Sequence, residues 1–172
     1  MNKLFFAAVY ALLACGCSGH GSKEEEPVLP VQKIVGLDML QTQNGDPTWR
    51  LRSPNAHVFE KTGEAELETP HMEFLEKNTT VSRITAKHGD LILETKDMVL
   101  TDNVVAHSLK DQTTLETTLL RYSSARKKIH TEREVVITKD GGRMRGTNFE
   151  ANPDLSEISL KNHQTLLPEK TK

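Results

Sequence analysis

Past residue 17 the chain contains no cysteine; its two cysteines, Cys15 and Cys17, both sit near the N-terminus. The body therefore has no disulfide, no thiolate nucleophile and no cysteine-based zinc site open to it. Aromatic residues make up 5% of the chain and apolar residues 36%, which is lean for a densely filled core. Neither sign of charge dominates: 22 Lys and Arg stand against 24 Asp and Glu, a formal net charge of -2. That balance excludes the basic face that nucleic-acid binding needs. Seven histidines (His20, His57, His71, His88, His107, His130 and His163) are spread singly, none paired at ligand spacing, so no metal is expected. A phosphate-cradling glycine loop is missing, as is a Gly-x-Ser-x-Gly elbow, and Ser123-Ser124 has no local base. No cofactor and no catalytic residue is expected. Also lacking is any apolar helical stripe with caps, or any apolar run long enough to cross a bilayer.

The longest apolar run is Leu4 to Ala14, after the positive charge of Lys3. It has the length of a secretory signal core, and residues 1–14 are read as a signal peptide of lipoprotein type. Leu12-Leu13-Ala14-Cys15-Gly16 resembles a lipoprotein cleavage site, with a small residue before a cysteine whose thiol receives lipid. Cys15 is thus the lipidation candidate, and Cys17 a second. Acyl chains there would provide the multiple anchoring signals that stable membrane attachment takes. The alternatives are an ordinary signal peptide and an uncleaved anchor extended by Ala and Gly. Residues 15–30, with three consecutive glutamates and two prolines, read as a lipidated cysteine and solvated tether.

Residues 31–165 read as one β-domain, and 166–172 as a polar tail. A short phrase recurs: Leu51-Arg52-Ser53-Pro54-Asn55-Ala56, Ile84-Thr85-Ala86-Lys87-His88-Gly89 and Leu120-Arg121-Tyr122-Ser123-Ser124-Ala125. Met144-Arg145-Gly146-Thr147-Asn148-Phe149 is a looser echo. The first three begin about 33 to 36 residues apart, the mark of a repeated supersecondary unit. Each is followed by an alternating segment ending in threonine, such as Ala65 to Thr69 or Met98 to Thr101. Period-two stretches mark half-buried strands, and turn signals separate them: Asn44-Gly45, Lys61-Thr62-Gly63, Lys77-Asn78, Gly89-Asp90, Lys139-Asp140-Gly141-Gly142. Glu157 to Lys161 reads as a last strand. The expectation is an all-β sandwich or curled jelly roll, with Ala56, Gly89 and Ala125 small for steric reasons where the chain bends.

The anchor-like N-terminus, Trp49-Arg50-Leu51, the Ile84 to Gly89 phrase, the strand-and-threonine units and Gly142-Arg143-Met144-Arg145-Gly146 together resemble the LptC family. The resemblance spans about residues 34 to 162. It implies a twisted, open β-jelly roll of two facing antiparallel sheets, OstA-like, whose interior shelters the acyl chains of lipopolysaccharide. It also implies transfer of that lipid from an inner-membrane ABC transporter (LptB, LptF, LptG) to the bridge protein LptA, in the periplasm of a Gram-negative bacterium. Familiar members use a transmembrane helix, where this chain offers a lipidated cysteine. Lining residues are expected on the apolar faces of alternating strands: Val35, Leu37, Met39, Trp49, Leu51, Leu67, Met72, Phe74, Leu91, Leu93, Leu119 and Ile137. The interior is expected to stay open along the whole body. The resemblance places the LptA-facing edge near Met144, Arg145 and Gly146, and the transporter-facing strand near Val35 to Met39.

Two charged clusters have plainer readings. Glu64, Glu66 and Glu68 alternate along one face, as a solvated strand would. Arg126-Lys127-Lys128 with Arg121 reads as a turn in water, or as a contact for lipid phosphates. A structural lipoprotein with a filled β-core is the alternative function.

Overall fold

The computed structural model describes residues 32–166, which form twelve strands and, among the described residues, no helix. The strands are β1 (Gln32–Gln43), β2 (Asp46–Phe59), β3 (Glu64–Glu68), β4 (His71–Glu76), β5 (Thr79–Thr85) and β6 (His88–Ile92). They continue as β7 (Met98–Ser108), β8 (Thr114–Ser123), β9 (Lys128–Thr131), β10 (Val135–Lys139), β11 (Gly142–Ala151) and β12 (Ile158–Leu166). The expected signal segment, Cys15, the tether and the tail past 166 lie outside the described residues.

Several long strands change partner halfway. In β2, Trp49 to Arg52 pair with β4, and Asn55 to Phe59 with β3. β7 pairs with β6 through Met98 to Thr101 and with β5 through Val105 to Ser108. β8 and β11 divide in the same way between β10 and β9. The half-strands therefore sort into two walls. The first runs β1–β2–β4–β5–β7–β8–β10–β11–β12, and the second β1–β2–β3–β6–β7–β8–β9–β11–β12. All ladders are antiparallel.

The chain crosses between the walls along one line, a spine. Left-handed backbone gathers there, at Gly36, Thr69, Asp102, Asn103, Asn148 and Asn162. Asn and Asp tolerate that conformation better than most residues, because a short polar side chain bonds locally. The hairpin tips lie opposite the spine and form a mouth. First-wall tips are Asn44-Gly45, Lys77-Asn78, Leu109 to Gln112 and Asp140-Gly141; second-wall tips are Glu60 to Gly63, Leu93 to Asp97, Ser124 to Lys127 and Asn152 to Glu157.

Crossing the spine changes which residues face inward. Along β2 the buried set is Trp49, Leu51 and Ser53, then Ala56. Along β11 it passes from Gly146 to Phe149, and along β8 from Leu115 to Leu120. Strict alternation would carry the apolar face outward past the corner; the odd step keeps it inward.

This geometry corrects the repeat. The corner copies are Leu51/Ser53/Ala56, Ile84/Ala86/Gly89 and Met144/Gly146/Phe149, and the third is Leu115/Thr117/Leu120. The phrase starting at Leu120 lies wholly past the corner, with Ala125 exposed in the β8–β9 turn. Gly89-Asp90 is likewise no turn but the middle of β6. Gly89 is small because a Cβ there would stand 3.0 Å from Leu100 Cδ2 and 3.1 Å from Pro70 Cγ.

The apolar interior as candidate functional site

Strand register lines up inward residues into rows that run across the strands, from one end of the molecule to the other. On the first wall, Met39 pairs with Leu51, then Met72, then Ile84. The row continues through Ala106, Leu115, Ile137 and Met144. On the second wall, Val58 leads to Ala65, Leu91 and Met98, then to Tyr122, Ile129, Ala151 and Ile158. Each row passes eight strands without a charged residue. At about 4.8 Å between strands, a row is about 34 Å long. What aligns these side chains is the ladder of backbone hydrogen bonds, which holds each strand in fixed register with the next.

Most of the expected lining residues fall inside. Trp49, Leu51, Leu67, Met72, Phe74, Leu91 and Ile137 are buried, and Leu37, Met39 and Leu93 are half-buried against the same core. Two do not. Val35 is 77% exposed, because Gly36, at φ +71°, breaks the alternation of β1. The inward residues of that strand are Ile34, Leu37 and Met39. Leu119 pairs with Thr101 on the outer side of the corner, and Leu120 is the buried neighbour.

Ile84, Met98, Leu100, Leu115, Tyr122 and Ile129 are interior residues that period-two reading of the sequence misses. The registers that bring them into rows would have found them, had the crossing points been known.

The walls touch at mid-length. Leu51, Met72, Ile84, Ala106, Leu115 and Leu91 are all 0% exposed, so no slot is open there, in contrast to the expected continuous channel. Among the described residues, two clefts adjoin the apolar interior. A mouth cleft of about 640 Å³ is lined by Thr42, Trp49, Phe74, Val81, Tyr122 and Asp154, among others. A second, more apolar cleft of about 490 Å³ lies at the β12 end, where Ile137, Met144, Ile158 and Leu160 meet. Phe74 and Tyr122 bridge the walls edge to face, with centroids 5.1 Å apart, a favoured aromatic geometry.

The expected partner edge also moves. Met144, Arg145 and Gly146 lie in β11, which β12 covers: Met144 pairs with Thr165 and Arg145 with Gln164. The terminal strands are β1 and β12. Gly146 is buried because Leu160 sits on it, and a Cβ would come within 2.7 Å of Leu160 Cγ.

Charges stay at the outside and the tips. Glu64, Glu66 and Glu68 are exposed on β3. Burial, then the neighbouring Glu66 and Glu64, pushes the Asp90 carboxyl up. Arg121 and Arg126 pair with Glu132 and Glu150, and Lys128 with Glu157 at 3.5 Å, so the basic cluster is largely neutralised. At the tips, the Lys139 ammonium holds the Asp111 carboxyl well below the usual range. Burial pushes Asp154 up, but hydrogen bonds from Ser156 and Lys110 outweigh it and leave the group lowered.

Two bent walls on a common spine, with an apolar lining between them, define an OstA-like β-jelly roll. The crystal structure of LptH from Pseudomonas aeruginosa, described as the LptA homologous periplasmic component of its lipopolysaccharide transport device, has this fold. It superposes with a TM-score of 0.55 at 9% identity, covering 70% of this chain and 94% of that one. A search of curated protein sequences returns no significant match. The family model for lipopolysaccharide-assembly, LptC-related proteins matches residues 4–166, and the chain belongs to that family.

Proposed function

We propose that this protein is a non-catalytic carrier in lipopolysaccharide assembly, which takes the acyl chains of the lipid between its two walls. The observation that carries this reading is the pair of apolar rows, one from β1 to β11 and the other from β2 to β12, each uninterrupted by charge. Each methylene withdrawn from water gains roughly 0.8 kcal/mol, so acyl chains hold to such rows, and passage along them requires the walls, which touch at mid-length, to part. The lipid comes from the inner-membrane transporter of LptB, LptF and LptG and leaves to LptA. The carrier sits in the periplasm, held to the inner membrane by lipid on Cys15. Among the described residues, strands β1 and β12 are terminal and present unpaired backbone groups, and added strands from those partners would satisfy them. Work for directed movement has to come from the transporter.

Photo-crosslinking tests the reading in cells. Probes at Phe74 and Leu91 should capture lipopolysaccharide, and probes at Arg52 and Glu66 should not. Equal capture from both sets, or none from either, would remove the support for an internal lipid path. A second reading is favoured by the filled mid-section: a structural lipoprotein whose core stays closed. It expects no interior crosslink in cells that export lipopolysaccharide normally.

A further inference from the structure

The spine is continuous backbone, so the walls can part only at the mouth. Among the described residues, polar side-chain links from wall to wall across the mouth are few and lie together. Lys110 Nζ, on the β7–β8 tip of the first wall, donates to Asp154 Oδ2 at 3.0 Å on the β11–β12 tip of the second. It also donates to both Glu76 oxygens, at 3.0 and 2.9 Å. The buried Ser82 hydroxyl donates to the Pro153 carbonyl at 2.6 Å. Lys127 Nζ donates to Gln43 Oε1 at 2.7 Å. Asp154 is itself fixed, its other oxygen accepting from the Ser156 amide and hydroxyl at 3.1 and 2.6 Å. These links border the mouth cleft, directly over Trp49, Phe74 and Tyr122.

We propose that the β11–β12 tip, Asn152 to Glu157, is a latch, and that an anionic amphiphile releases it. The inference rests on the lipid-carrier reading. Lys110 is the exchangeable part: it is 45% exposed and holds two carboxylates at once. A phosphate on an entering amphiphile competes for the same ammonium, and phosphate oxygens accept charge-assisted bonds as strongly. When Lys110 turns to the ligand, Asp154 loses its cross-wall partner, and of these links only the Ser82 to Pro153 bond still ties the β11–β12 tip to the first wall, since Lys127 joins Gln43 from the β8–β9 tip. The ligand then has a contact in the open state that the closed state lacks, which is what a shift in population requires. Its chain enters through the cleft beside Trp49, where space already exists.

Trp49 is the chain's one tryptophan and is 1% exposed, so its fluorescence reports on the mouth. The full chain is compared with Lys110→Met, Asp154→Asn and, as control, Lys139→Met. The control removes an ion pair between two tips of the same wall, Lys139 to Asp111 at 2.6 Å. Acrylamide quenching of Trp49 should rise about fivefold in either latch variant, the scale of losing one partly exposed charge-assisted bond, and should stay unchanged in the control. No rise in the latch variants, or an equal rise in all three, would overturn the latch. A second arm adds a monoacyl phosphate with a brominated chain. Quenching by this probe, faster in Lys110→Met than in the parent chain, supports acyl entry through the mouth. Increased acrylamide access without bromine quenching in any chain would sink the lipid-carrier reading and the ligand's role as trigger, leaving only a mechanical clasp.

Discussion

At the scale of single residues, the contacts that decide the fold involve the smallest side chains. Gly146 is buried under Leu160, and an added Cβ would stand 2.7 Å from Leu160 Cγ and 2.9 Å from the Lys161 carbonyl oxygen. The leucine can turn away, but the carbonyl moves only with β12. Gly146→Ala should therefore cost about 1–3 kcal/mol by overpacking and loosen β12 first. Thermal melts and amide exchange in β12 measure both. Combining it with Leu160→Ala should recover part of the loss, a positive coupling between neighbours; additive losses would mean that Leu160 is not the obstacle. Gly146→Arg, an obvious test of docking at this position, would disturb β12 itself and so could not report on a partner. Nothing in the local sequence distinguishes Gly146 from a glycine placed for a turn. Its reason lies on the next strand, in the side chain that covers it.

Elements are legible in this chain where they are straight and illegible where they bend. The hairpin tips at Asn44-Gly45 and Asp140-Gly141 follow from turn chemistry, since left-handed backbone favours these residues. The spine follows a different logic. A strand that crosses it must slip its alternation by one residue, and period-two reading hides the slip. That is why Leu119 is assigned inward in place of Leu120, and why the third repeat lands five residues late. At Val35 the same slip is visible in the sequence as Gly36, yet a lone glycine in a strand can equally mark a bulge or the close approach of another backbone. The corners can be tested directly. Asn148 crosses the spine at φ 51°, where a β-branched side chain is strained by roughly 1–2 kcal/mol. Asn148→Val should destabilise by about that much, and Asn148→Gly should be close to neutral. In an ordinary strand interior the order would reverse, with valine the better choice. A chemical denaturation series in which valine is tolerated would place no left-handed corner at that position.

For the whole molecule, the apolar rows supply most of the cohesion, and the charges at tips and outer faces set how it responds to acid. Asp38, Asp111 and Asp154 are all held below their ordinary pKa. Asp38 is lowered by hydrogen bonding to Arg50, Asp111 by Lys139, and Asp154 by Ser156 and Lys110 against the pull of burial. A carboxylate lowered in the folded state binds fewer protons there than in the unfolded chain, so stability is lost as pH falls. The contribution is complete above the ordinary aspartate value of 3.8 and disappears as pH drops through the lower folded value. Asp90 has the opposite sign. Burial and its glutamate neighbours raise it, so its ionisation works against the fold as pH rises through and above 3.8. Urea melts across this range separate the two. Asp111→Asn should be less stable than the parent by a constant amount from pH 7 to about 5, with the gap narrowing steadily in stronger acid. Asp90→Asn should be more stable than the parent at neutral pH, and that advantage should shrink on acidification. Identical pH profiles for the two variants would mean that the tip carboxylate and the β6 carboxylate sense the same surroundings, contrary to one lying beside an ammonium and the other among carboxylates.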